Sequence, residues 1–270
     1  MIIILSPAKT LDFTPLQQTT SSSKPVFEKE ADYLAILLNA MTPEQLSGLM
    51  NTNAKLTELA FDRFQKWNAK GTRKGAKQAV FAYYGLVFKG LEASSMSENE
   101  LQFAQSHLRI LSGLYGVLRP LDKIRPHRLE MAALLNNVSG KDLYAFWRDK
   151  ITTSIKIDLD NLAKLKKKIG HSDPASQRSS ILINLASEEY ASVINFKLLP
   201  ARVITPTFKD YTKGKYAIIS TYSKQARGMM SRFIIQNAIS DPEEMKLFEG
   251  GGYYYNDLLS NDREWIFTRG

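Results

Sequence analysis

The chain has 270 residues, with 44% hydrophobic and 23% charged side chains, no cysteine and a formal net charge of +9. That length carries one sizeable core, or two small ones, without disulfides, and the absence of cysteine excludes disulfide frameworks, thiolate metal sites and thiol-based peroxide reduction. No apolar run reaches the roughly 18 residues of a membrane span, and the opening MIIIL lacks the basic lead and the length of a secretory signal, so a soluble cytoplasmic protein is expected.

Residues 2 to 5, IIIL, read as a buried strand ending at Ser6-Pro7-Ala8-Lys9-Thr10, a sharp exit that displays a lysine. Residues 17 to 24 are polar and read as a surface loop. Helical patterns follow over 28 to 40, over 43 to 50 with Thr42 as N-cap and Pro43 in the first turn, and over 53 to 67. Residues 79 to 91, AVFAYYGLVFKGL, are aromatic and β-branched, and predict a strand or short hairpin. Ser97 and Glu100 form a capping box that opens a helix over 98 to 111, and another helix is expected over 141 to 155. The lysine-rich stretch 162 to 169 reads as a solvated helix face that leads into a polar loop over 171 to 180.

Three later apolar runs, 181 to 186, 201 to 204 and 216 to 220, are short and continuous, the pattern of strands covered on both faces. The first and third lead directly into helices, at Ser187 and Ser223. A fourth run, 264 to 268, alternates like an edge strand. With no linker or repeat to divide it, the chain is expected to form a single compact α/β domain over 1 to 270, with a mixed β-sheet flanked by helices.

Positive charge is unevenly distributed. Residues 107 to 131 hold Arg109, Arg119, Lys123, Arg125 and Arg128 against Asp122 and Glu130. Residues 196 to 232 carry eight Lys or Arg against Asp210 alone, whereas from 237 onward seven acids face three bases. A basic block beside an acidic tail implies a cationic face and a polyanionic partner. Ligands of open α/β sheets bind outside the carboxyl ends of the strands. If the strands are parallel, Lys9, Asn184, Ser187, Lys224 and Arg227 meet there. The helix opening near Ser223 would add phosphate-binding N–H groups. Residues 107 to 121 also suit a helix-hairpin-helix element, with Gly113 and Gly116 admitting a phosphate close to the backbone, although these glycines lie three apart and Pro120 falls where the second helix should start.

The segments SPAKTLDF at 6 to 13, HLRILSGLYGVLRPLD at 107 to 122, GKDLYAFW at 140 to 147, INLASEEY at 183 to 190 and ARGMMSRFII at 226 to 235 resemble the YaaA family of bacterial peroxide stress resistance proteins. The resemblance implies a cytoplasmic α/β fold with a basic cleft containing a helix-hairpin-helix-like element, binding to DNA, and a part in keeping unincorporated iron low during peroxide stress. By position, the implied nucleic-acid contacts are Lys9, Arg109, Arg119, Arg125, Arg128, Lys224, Arg227 and Arg232.

No cofactor is implied, and three scattered histidines, His107, His127 and His171, make no metal site. Indirect protection through nucleic acid is therefore the leading expectation. The rival is an enzyme acting on a nucleobase or nucleotide, with Asp142, Asn184, Glu188 and Glu189 as hydrogen-bonding or proton-shuttling groups beside Arg227. Helix capping by Ser187 and its two glutamates is the structural alternative.

Overall fold

A computed structural model describes residues 1–15, 21–67, 75–168 and 180–270, except the side chains of 166–168. Residues 17–20 of the expected first loop, the side chains of Lys166, Lys167 and Lys168, and residues 171–179 with His171 lie outside the described residues. The strands are β1 (Ile2–Leu5), β2 (Thr10–Leu11), β3 (Lys77–Gln78), β4 (Tyr83–Tyr84), β5 (Leu108–Ser112), β6 (Gly116–Leu118), β7 (Lys123–Ile124), β8 (Ser180–Leu185), β9 (Ala201–Thr212), β10 (Lys215–Ala217), β11 (Tyr254–Tyr255) and β12 (Glu264–Arg269). The helices are α1 (Glu28–Asn39), α2 (Pro43–Met50), α3 (Ala54–Gln65), α4 (Ala79–Ala82), α5 (Leu86–Leu91), α6 (Glu98–His107), α7 (Leu143–Lys168), α8 (Glu188–Ala191) and α9 (Ser220–Gln236).

Helix starts follow their capping chemistry. Thr42 with Gln45, and Ser97 with Glu100, form reciprocal capping boxes on α2 and α6, and the Asn53 side chain accepts from Leu56 N–H on α3. Each satisfies N–H groups that a helix end leaves open.

An eight-stranded mixed sheet runs β11-β12-β9-β8-β1-β5-β6, with β10 paired to β9. The stretch β12-β9-β8-β1-β5 is parallel, whereas β6, β10 and β11 join antiparallel. Every residue of β1 is fully buried, as a central parallel strand covered on both faces requires. Strands from both ends of the chain share this one sheet, and helices flank it. In order of appearance the parallel strands lie 2-1-3-4-5, so the chain leaves β1 toward β5 and leaves β8 toward β9. The switch point between β1 and β8 is where such sheets open a crevice.

Five expectations change. Residues 79–91 form two short helices, α4 and α5, around the two-residue strand β4, in place of one strand or hairpin. Gly90 and Gly228 bring α5 and α9 into backbone contact: a Cβ on Gly228 would collide with Val87 O, and one on Gly90 with Gln225 O. This tertiary contact overrides the β propensity of the aromatic run.

The helix from 98 stops at His107, and 108–118 form the antiparallel pair β5-β6, so no helix-hairpin-helix forms there. Its glycines serve packing. Gly116, with φ +68°, abuts Trp147, whose indole N–H donates to Gly113 O at 2.8 Å; a Cβ at 116 would lie 2.6 Å from that ring.

Of the run at 216–220, only residues 216–217 are strand, the end of the exposed antiparallel β10, which returns through a Lys213-Gly214 turn with both φ positive, and Ser220 already opens α9. Consequently α9 does not begin at the carboxyl end of a parallel strand. Finally, 264–268 lies inside the sheet between β9 and β11, and the helix expected over 141 to 155 continues to Lys168.

Candidate functional site at the carboxyl ends of the parallel strands

Beside the switch point, Ser187 N–H donates to Ser6 Oγ at 2.8 Å, and Ser6 Oγ donates to Ser187 Oγ at 3.1 Å, tying the exits of β1 and β8 together. Next to this clasp is a small hollow, open to solvent. The segment after β1 contributes Lys9, β4 contributes Tyr83, and the end of β5 contributes Ser112. Residues 127–130 bring His127, Arg128 and Glu130, and α8 brings Tyr190.

The electrostatics of the hollow centre on Glu130. Its Oε2 accepts from Lys9 Nζ at 2.7 Å and its Oε1 from Arg128 Nη2 at 2.8 Å. Lys9 is 63% exposed, whereas the Arg128 side chain is only 14% exposed. Arg63 donates to His127 O at 3.4 Å, and burial, then repulsion by Arg128, weaken its hold on its proton. His127 Nδ1 is 2.8 Å from Arg125 O, which fixes Nδ1 as the donor and leaves the lone pair on Nε2. Burial holds this imidazole down at about 4, against the Arg125 hydrogen bond and with help from Arg63.

Two buried polar atoms in the hollow lack a hydrogen-bond partner, Tyr83 Oη and Arg128 Nε. Burial pushes the Tyr83 phenol up, and the Ser112 hydroxyl beside it acts in the opposite sense without closing a hydrogen bond. An unsatisfied buried polar group costs about 1–3 kcal/mol. Two in one hollow mark it as a place built to receive something polar.

The eight cations suggested by resemblance have different surroundings. Lys9 and Arg128 share the hollow. Arg109 and Arg119 line a separate groove with Asp158, Ser154, Asn161 and Leu165. There Arg109 Nε meets Asp158 Oδ2 at 2.7 Å, and Arg119 binds the fully buried Asp122 through Nε at 3.2 Å and Nη2 at 3.0 Å. Arg125 lies 3.9 Å from Asp32 and 4.7 Å from the Trp67 ring centre. Arg232 Nη1 donates to the carbonyls of Leu91 and Glu92 at the end of α5, complementing that helix terminus. Only Lys224, exposed, and Arg227, half-buried, have no acid partner among the described residues.

The groups of the rival reading are likewise occupied or apart. Asp142 caps α7 by accepting from Ala145 N–H at 2.7 Å. Asn184 bridges Thr205 and Ala186 N–H. Glu189 accepts from Ala132 N–H at 3.3 Å, and Glu188 is exposed on α8. Neither the hollow nor the groove includes Asn184, Glu188, Glu189 or Arg227.

Positive charge without ion pairs among the described residues collects elsewhere. β9 runs on past its last pairing with β8, Ile183↔Ile204, to Thr212 and turns back as β10. This hairpin carries Lys209, Lys213 and Lys215, none of them ion-paired among the described residues, and Lys224 follows on α9. Tyr211 and Tyr216 stand opposite one another, 54% and 38% exposed, with ring centres 5.2 Å apart. Tyr222 is 47% exposed beneath Arg269, 4.6 Å from its ring centre. The sequence pointed to this block through its charge, but not to its tyrosines. Tyr83, Ser112 and Tyr190 also escaped notice, because each looks like ordinary packing until the fold brings it to the hollow.

The family described as Peroxide stress protein YaaA matches residues 1–259. A UPF0246 protein of Janthinobacterium sp. (strain Marseille) is 46% identical over 269 residues, covering 100% of this chain and 98% of that protein. UPF0246 proteins of Teredinibacter turnerae and Ralstonia nicotianae are 45% and 44% identical over 100% of this chain and 99% of each relative. Since one family description spans nearly every element of the sheet and relatives of matching length align end to end, the chain belongs to the YaaA peroxide stress protein family.

Proposed function

We propose that the protein binds DNA and through it limits iron-dependent damage during peroxide stress, without itself reducing peroxide. The observation that carries this reading is the β9-β10 hairpin with the start of α9, where Lys209, Lys213, Lys215 and Lys224 have no ion pair among the described residues, the one hairpin acid, Asp210, is held by Arg269, and Tyr211, Tyr216 and Tyr222 are exposed. Lysines of this kind neutralise phosphates, and tyrosine faces stack on bases wherever a duplex is distorted or open. The paired arginines of 107–131 serve the fold in this reading. A chain without cysteine has no thiolate with which to reduce peroxide.

The test is fluorescence anisotropy of a labelled duplex with the triple variant Lys213→Glu, Lys215→Glu, Lys224→Glu. These side chains are exposed and unpaired, so the thermal midpoint should change little while affinity falls at least tenfold. Unchanged affinity in a folded variant would reject the assignment. Arg119→Glu is a poor probe, since it leaves Asp122 buried without its cation.

A further inference from the structure

We propose that the hollow at the carboxyl ends of β1, β5 and β8 binds a single phosphate group, with Glu130 acting as an internal stand-in that the incoming phosphate displaces. This site is separate from the hairpin and does not rest on the DNA reading.

Four observations carry it. First, an arginine side-on edge offers Nε–H and one Nη–H as a fork matched to two oxygens of one oxyanion. On Arg128, Glu130 fills the Nη2 prong while Nε has no partner. Second, Tyr83 Oη, also buried and unpartnered, lines the same hollow from another element. Third, Lys9 closes the rim from the β1 exit, and its pairing with Glu130 is largely exposed, hence weakly held and easily exchanged. Donors on three elements suit the three terminal oxygens of a phosphate better than the two of a carboxylate. Fourth, Lys9, Arg128 and the nearby Arg63 outnumber Glu130 and Glu189, so the surroundings remain positive with Glu130 in place. The hollow lies beside the switch point, where open α/β sheets hold their ligands.

The phosphate has two candidate sources, a free phosphomonoester or the 5′-phosphate of a DNA end. Isothermal titration of the whole protein with inorganic phosphate, adenosine monophosphate, and an oligonucleotide with or without a 5′-phosphate separates them. Glu130→Gln, which removes the competing charge, should tighten binding of the phosphate probes about tenfold, and Tyr83→Phe should weaken it about tenfold without lowering the thermal midpoint. Preference for the monophosphate identifies a small-molecule ligand. Preference for the 5′-phosphorylated over the 5′-hydroxyl strand, lost in Tyr83→Phe, identifies a DNA end. Failure of every probe to bind both the wild-type and Glu130→Gln proteins, or equal binding by wild type and both variants, overturns the proposal. The Lys213, Lys215, Lys224 triple variant should retain phosphate binding, so loss of the hairpin function and loss of this site are read independently.

Discussion

At the scale of single residues, partners decide what a charge can do. Arg109, Arg119 and Arg128 belong to a basic segment in sequence, yet each meets an acid at hydrogen-bond distance: Asp158, Asp122 and Glu130. Asp122 is adjacent enough in sequence to have been weighed, but Asp158 lies on a distant helix and only the fold reveals the pairing. His127 illustrates how burial replaces composition as the guide. Its folded value of about 4 lies below the ordinary imidazole value of 6.5, so as pH falls the unfolded chain takes up the proton first. His127 therefore supports stability fully above about pH 6.5 and loses that contribution progressively toward pH 4, by about 3 kcal/mol in all. Urea unfolding at pH 7 and pH 5 should show this loss, and His127→Asn should flatten it. Glu44 and Glu100, whose carboxyls backbone hydrogen bonds hold below their ordinary value of 4.5, act only at lower pH. An equal pH 7-to-5 loss in wild type and variant would remove His127 as the cause.

At the scale of elements, local signals succeeded where the chain's own chemistry sets the boundary. Thr42, Asn53 and Ser97 announce α2, α3 and α6 because each cap satisfies nearby N–H groups. The segments 79–91 and 108–118 were misread because distant contacts govern them, α9 against α5 in one case and Trp147 against Gly116 in the other. The α5-α9 crossing yields a prediction contrary to helix propensity. Alanine is favoured over glycine in a helix by roughly 1 kcal/mol, but Gly228→Ala would drive a methyl into the Val87 carbonyl. The variant should lose at least 2 kcal/mol in chemical denaturation, in the range of overpacked interiors. A stabilised Gly228→Ala would mean that the two helices do not cross there.

At the scale of the whole molecule, the α/β class, a mixed sheet flanked by helices and the β1 strand were readable from buried apolar runs alternating with capped helices. The strand order was not, because 2-1-3-4-5 depends on which nonlocal pairs form. That order assembles the hollow from Lys9, Tyr83, Ser112, Arg128 and Tyr190, which are scattered along the chain. The charge asymmetry was legible and survives as the cationic hairpin, whereas the pairing of Arg109, Arg119 and Arg128 with their acids became visible only in the fold. Among the described residues, no helix is long and apolar enough to cross a membrane. Under the proposed DNA binding, a net charge of +9 ties affinity to counterion release.

The most direct measurement is the dependence of duplex affinity on salt for the wild type and the hairpin triple variant. Phosphate binding predicts that log affinity falls linearly with log salt, with a slope of about −0.9 per phosphate contacted, and that the three reversals reduce its steepness by about 2 to 3. A flat wild-type response, or the same slope in both proteins, would contradict DNA binding by this face.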